Sequence, residues 1–302
     1  MSEYSIETRG LTRRFGSFTS VDHLELRVPK GQIYGFLGAN GAGKTTTIRM
    51  LLSLMRPDEG EIRILGLPLE DNRDRILRRV GSLVESPSYY GHLSAYKNLK
   101  ILADLLDLPD QRIGEALETV RLTPYAKQAV KGFSLGMKQR LALAQALIRK
   151  PEVLILDEPI NGLDPAGIQE IRNLLLALSR EQGVTVFLSS HILSEIQAIS
   201  DRVGIIQGGK LIFQDAITEL ERRSRPRLAV ETDQPEEACR LLLRHGASVE
   251  RRDRLLLITL NEQLNQADIF RILQPVELRH VSEQVRSLED IFLDLTGRGG
   301  SL

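Results

Sequence analysis

The segment GANGAGKTT (38–46) holds its glycines, lysine and threonine at the spacing G-x-x-x-x-G-K-[ST]. It follows an apolar run, QIYGFLG (32–38), and opens KTTTIRMLLSL (44–54), in which Ile48, Leu51, Leu52 and Met55 recur at helical spacing. A strand, a glycine-rich turn and a helix in that order form a phosphate-binding loop. Glycines let the backbone curve tightly and approach phosphate closely, so the N–H groups of Asn40, Gly41, Ala42 and Gly43 are placed to converge on phosphate oxygens. The positive end of the following helix adds to that field. Lys44 supplies a point charge for the β- and γ-phosphates, Thr45 offers a hydroxyl to Mg²⁺, and Thr46 completes the loop.

A second chemical feature is VLILDEP (153–159), where four apolar residues run into Asp157 and Glu158. In open parallel sheets ligands bind beyond the carboxyl ends of the strands. A carboxylate there can hold Mg²⁺, which suits Asp157, and its neighbour Glu158 can orient or activate an attacking water. Upstream, FSLGMKQRLALAQALI (133–148) starts with Ser134 and Gly136 and continues as a long amphipathic helix.

With this third element in place the chain resembles the ATP-binding subunits of ABC transporters. Their signature is usually Leu-Ser-Gly-Gly-Gln. Here it reads Phe133-Ser134-Leu135-Gly136-Met137, keeping the serine and the second glycine. The resemblance implies that Ser134, Gly136 and the helix N-terminus bind the γ-phosphate of ATP held by an opposite subunit. It extends over residues 1–220, because further motifs follow in order. Phe15 matches the aromatic that stacks on adenine, NGLD (161–164) places Asp164 at the subunit interface, and SSH (189–191) places His191 where a histidine contacts γ-phosphate.

One departure narrows the resemblance. After VGSLV (80–84) the family usually carries Gln near Mg²⁺ and the attacking water, whereas this chain carries Glu85. Glutamate at this place is similar to the bacitracin and lantibiotic self-protection exporters, and the terminal SLEDIFLDLTG (287–297) is similar to the end of that drug-export group. The resemblance makes Glu85 a further ligand to Mg²⁺ and nucleotide.

Positioning these residues requires an α/β core of the P-loop NTPase type. Strands and helices alternate through the first 220 residues, with alternating strands read at 4–8 and 24–28, buried strands at VLIL and VTVFLSS, and a hairpin over 202–215 turning at Gly208-Gly209. A helix-rich insertion over about 86–150, broken at Pro109, Pro124 and Gly132, reads as a helical subdomain. The arginines of ERRSRPR (221–227) read as a solvated linker. Beyond it, residues 221–302 follow the order βαββαβ, which suits a small ferredoxin-like accessory domain closed by a last helix.

Composition bounds the partners. Forty Lys and Arg offset 40 Asp and Glu in 302 residues, so charge gives no support to a nucleic-acid partner. The single cysteine, Cys239, cannot form an intrachain disulfide and reads as an apolar filler. No run reaches the roughly 18 apolar residues of a membrane span. The N-terminal MSEYSIETRG carries acids and lacks the apolar region of a signal peptide. The resemblance therefore implies a cytoplasmic Mg²⁺-dependent ATPase, paired as a homodimer around ATP and held at the membrane by a separate polytopic permease. The helical subdomain, with Tyr89 and Tyr90 beside it, would receive that permease, although both tyrosines equally suit internal packing. A non-export role, as a soluble regulatory or translation-associated ABC module, is the alternative. Translation-type proteins carry two cassettes, and this chain has one phosphate loop and one signature. Chromosome-type ATPases insert long coiled coils, and residues 47–132 contain no sustained heptads.

Replacing Lys44 by alanine is expected to remove most affinity for ATP, as titration calorimetry would record. Normal affinity in that variant would reassign the loop.

Overall fold

The computed structural model describes residues 3–84, 89–223, 227–260 and 264–284. They fall into two compact units, Met1–Ile217 and Thr218–Leu302.

The first unit is an α/β cassette built on two sheets. The larger has six strands in the order Lys210–Ala216, Arg202–Gln207, Ile33–Leu37, Thr185–Ser190, Val153–Leu156 and Val80–Leu83. All neighbours are parallel except the hairpin formed by the first two. Ile33–Leu37, Val153–Leu156 and Thr185–Ser190 are buried along their whole length, which explains their near-continuous apolar sequences.

The second sheet is antiparallel, and residue alternation alone did not separate it from the first. Its long strand Tyr4–Phe15 pairs with Phe18–Leu24, Arg27–Pro29 and Glu59–Ile64. The single strand expected over 24–28 is thus two strands, broken at Glu25 and Leu26. Thr8 bridges the break. Its N–H donates to Leu26 O at 3.0 Å, and its hydroxyl donates to Leu24 O at 2.7 Å while accepting from Leu26 N at 2.9 Å. A side chain therefore supplies the hydrogen bonds that a regular ladder would have made.

Between the sheets lies the core. Ile6, Leu11, Leu24 and Val28 come from the antiparallel sheet, Tyr34, Phe36, Ile155 and Phe187 from the parallel one, and Ile48, Met50 and Leu51 from the helix Lys44–Leu51. Phe187 is central. Its ring stacks on Tyr34 with centroids 5.6 Å apart and meets Phe36 at 5.3 Å. This contact joins the strand that carries the phosphate loop to the strand that ends in His191.

The helical insertion consists of Ala95–Leu105, Gln111–Thr119 and Leu135–Leu147, with two short 3-10 turns, Thr123–Tyr125 and Val130–Gly132, between the second and third. Its breaks contain Pro109, Pro124 and Gly132. The helix Pro165–Gln182 follows the acidic strand, capped by Asp164 and stopped by Gly183 at φ 67°, a conformation that glycine adopts without a Cβ penalty.

The second unit is a four-stranded antiparallel sheet in the order Ser248–Arg252, Leu255–Thr259, Arg227–Thr232, Leu278–Gln284. The helices Pro235–Arg244 and Gln266–Ile272 bury Ala238, Leu242 and Ile269 in a core with Leu228, Val230, Leu256 and Ile258. The terminal helix expected at 287–297 lies outside the described residues. Among the described residues no helix is long and apolar enough to cross a membrane.

Truncating Phe187 to alanine should cost about 3–5 kcal/mol, the range for emptying a buried aromatic site. Equilibrium urea denaturation measures it. A loss below about 1 kcal/mol would mean that the core collapses around the gap.

Candidate functional site

Three neighbouring parallel strands deliver the chemistry to one edge of the sheet. Ile33–Leu37 ends in the phosphate loop, Val153–Leu156 in Asp157 and Glu158, and Thr185–Ser190 in His191. Strand order, not chain order, brings them together.

Gly43 makes the loop turn into its helix. At φ 110° it lies outside the conformations open to other residues, and a Cβ there would sit 2.5 Å from Ser20 O. Ser20 also donates from its hydroxyl to Thr46 Oγ1 at 3.0 Å, so the strand Phe18–Leu24 buttresses the loop. No side chain caps the helix Lys44–Leu51, which leaves its first N–H groups directed at the loop.

Lys44 is 6% exposed, and its ammonium is surrounded by oxygen. It donates to Gly38 O at 2.7 Å and Ala39 O at 3.3 Å, and pairs with Glu158 Oε1 at 3.2 Å. The other carboxylate oxygen of Glu158 lies 2.8 Å from His191 Nδ1. Beside this chain, Thr45 donates from its hydroxyl to Asp157 Oδ2 at 2.8 Å. Lys44, Thr45, Asp157, Glu158 and His191 therefore form one cluster, although 147 positions separate its first and last members in sequence (191 − 44).

Ser189 organises the acids, and the sequence reading did not single it out. Its hydroxyl donates to Asp157 Oδ1 at 2.5 Å and accepts from Glu158 N at 2.9 Å. That second bond holds Glu158 at φ 48°, a left-handed conformation costing about 1–3 kcal/mol in a non-glycine residue. The strain is offset by three contacts, from Ser189, Lys44 and His191. A serine in the otherwise apolar TVFL-SS run was the available signal.

The remaining expected site residues take other positions. Asn40 and Gly41 are exposed at the tip of the loop, and Ala42 is buried in it. Phe15 is 45% exposed at the end of its strand, where the Arg13 guanidinium lies 5.0 Å from its ring centroid. Ser134 caps the helix Leu135–Leu147, accepting from Met137 N at 3.2 Å. Gly136 faces the start of the helix Pro165–Gln182, since a Cβ there would lie 4.0 Å from Gly167 Cα. Among the described residues, neither Ser134 nor Gly136 shares a hydrogen bond or ion pair with the Lys44 cluster. The signature helix is tied to the acidic strand through Gln139, whose amide donates to Pro159 O at 2.6 Å. Tyr90 is 57% exposed, while Tyr89 is half-buried with the Lys138 ammonium 5.9 Å from its ring centroid. Glu85 lies outside the described residues.

A sequence profile of the ABC transporter family matches residues 21–161. The chain is 44% identical over 299 residues to the bacitracin transport ATP-binding protein BcrA of Bacillus licheniformis, covering 97% of this chain and 98% of that protein. It is 41% identical over 209 residues to the lantibiotic transport ATP-binding protein SrtF of Streptococcus pyogenes, covering 69% of this chain and 90% of that protein. A solved ATP-binding subunit of an ABC transporter superposes with a TM-score of 0.64 at 27% identity, covering 72% of this chain and 92% of that structure. The chain belongs to the family of ABC transporter ATP-binding subunits.

Substituting Ser189 by alanine removes a donor to one acid and an acceptor for the other. A stability loss of about 1.5–3 kcal/mol is expected, as for hydrogen bonds to charged groups. An unchanged denaturation midpoint would mean that Asp157 and Glu158 are held without it.

Proposed function

We propose that this chain is the ATP-hydrolysing subunit of an exporter, driving a separate polytopic membrane permease that moves peptide antibiotics or other drugs. The observation that carries the hydrolytic reading is the position of Glu158. Its two carboxylate oxygens lie between the Lys44 ammonium and the His191 imidazole, beside the Thr45–Asp157 pair. The substrate class is supported by the full-length similarity to a bacitracin transport subunit.

The residues divide the work by charge. Phe15 stacks on adenine, and the N–H groups of residues 40–46 surround the phosphates. A triphosphate carries more negative charge than one carboxylate, so it draws Lys44 away from Glu158. That exchange frees a carboxylate oxygen for the attacking water. Glu158 then orients the water and takes its proton, while His191 reaches the γ-phosphate and keeps Glu158 in place. Thr45 and Asp157 supply a hydroxyl and a carboxylate oxygen side by side, a donor set that fits Mg²⁺, which takes one or two carboxylates together with substrate phosphates. The metal would offset negative charge on the phosphates. Glu85 is the further ligand proposed for it.

A second copy completes the site. Ser134 is exposed at a helix N-terminus separate from its own phosphate loop, which supports binding to the γ-phosphate of ATP held by the partner. Asp164 and the exposed Leu135 belong to that same dimer face. We assign residues 1–220 to the cassette, 86–150 to its helical subdomain and 221–302 to an accessory domain. The alternating order of the second unit and its antiparallel strand order support a ferredoxin-like fold for it. The permease would hold the chain at the cytoplasmic face of the membrane, with the exposed Tyr90 in its docking surface.

Glu158→Gln keeps the shape of the side chain and removes its charge. The variant should bind ATP at least as tightly as the wild type, since Lys44 loses its competing anion. Hydrolysis should fall on the order of 10²–10⁴-fold, the usual range for a general base. An ATP-bound dimer should accumulate on size-exclusion chromatography. Hydrolysis at the wild-type rate would remove Glu158 from this role.

A further inference from the structure

One buried acid next to the cluster takes no part in the mechanism above. Glu195 lies in the short helix Leu193–Gln197, just after the His191 turn, and is 7% exposed. Burying a carboxyl without a partner is costly, and its neighbours Leu193 and Ile196 already fill the apolar space. Glu195 has a specific partner. Its Oε2 accepts from Ser190 Oγ at 2.8 Å, and the same Ser190 oxygen accepts from Ile192 N at 3.0 Å. A hydroxyl has one proton. Ser190 Oγ also lies 3.4 Å from Ile192 O, but the 2.8 Å contact with the Glu195 carboxylate is the shorter and takes the proton, which turns the lone pairs of Ser190 toward the Ile192 N–H. The Ser190–Ile192 bond therefore closes over the single residue between them, His191, and Glu195 holds the hydroxyl that makes it.

We propose that Glu195 is a positioning residue of the hydrolytic site, fixing the Ser190–Ile192 turn through the Ser190 hydroxyl so that His191 meets Glu158. The proposal rests on the reading of Glu158 and His191 given above. Electrostatics agrees with the placement. Burial pushes the Glu195 carboxyl above the usual carboxylate range, the Ser190 hydrogen bond opposes that shift, and the negative charge of Glu158 adds to it. The Arg172 guanidinium and the neighbouring His191 act in favour of the ionised form.

The test uses the full chain with Glu195→Ala, Glu195→Gln and Ser190→Ala, and reads two independent quantities. The first is steady-state ATP hydrolysis. Glu195→Ala should lower kcat on the order of 10²-fold, the scale of a small misplacement of reacting groups. KM for ATP should change less than about twofold, because only transition-state geometry is disturbed. Glu195→Gln should recover most of kcat, since its amide oxygen accepts the same Ser190 bond. Ser190→Ala should resemble Glu195→Ala, and combining the two should cost no more than either alone. The second quantity is the ¹⁵N shift of the His191 imidazole, assigned by comparison with His191→Gln. It should move toward that of an unpaired histidine in Glu195→Ala and return in Glu195→Gln.

Wild-type kcat and an unchanged His191 signal in Glu195→Ala would overturn the proposal. So would a loss that Glu195→Gln does not restore, or a parallel change of kcat, KM and unfolding midpoint. If Glu195→Ala does not fold, Ser190→Ala removes the same bond and the same outcomes decide. Failure of the underlying reading is separable. It shows as wild-type hydrolysis in Glu158→Gln, whereas the His191 shift requires no hydrolysis and reports the positioning by itself.

Discussion

A lysine that is 6% exposed must have oxygen around its ammonium, and meeting that requirement for Lys44 shapes this cassette. Two of its partners are carbonyls of its own loop, Gly38 and Ala39, so the loop must curl back on the first turn of the helix. The third is Glu158, more than a hundred positions away in sequence, so the acidic strand must end at the same edge of the sheet. A buried lysine with these three oxygen partners leaves no charge uncompensated.

Sheet order meets that requirement. The phosphate-loop strand lies next to the strand ending in Ser189–Ser190–His191, which lies next to the acidic strand. The middle strand therefore serves both sides. Its Phe187 packs on Tyr34 and Phe36 in the core, and its Ser189 grips Asp157 and the backbone of Glu158 at the edge. Stability and chemistry share one strand, with the aromatic contact deep in the sheet and the polar contacts at its carboxyl end.

The helical insertion is connected to this edge through a different residue. Gln139 reaches from the signature helix to the carbonyl of Pro159, directly after Glu158. That bond ties the helix Leu135–Leu147 to the segment directly after Glu158. The N-terminus of that helix is capped by Ser134, which accepts from Met137 N and, among the described residues, shares no hydrogen bond with the Lys44 cluster.

Much of this was legible in the sequence because its main motifs are local. A strand, a glycine-rich turn and a helix are contiguous in the chain, so Gly43, Lys44 and Thr45 could be placed from spacing alone. The acid pair was readable because four buried apolar residues define the strand end that presents it. The βαββαβ order of the second unit was readable for the same reason. Short alternating and helical periods survive in the order of residues. What the sequence could not decide was which distant elements lie side by side. Thr8 completes the ladder across Glu25–Leu26, which alternation read as one continuous strand. Ser189 and Glu195 look like ordinary residues of a strand and a helix until sheet register sets the first against Asp157 and the turn folds the second back onto Ser190. A hydrogen bond depends on tenths of an ångström between side chains, and those distances exist only after the strands have paired and the core has packed.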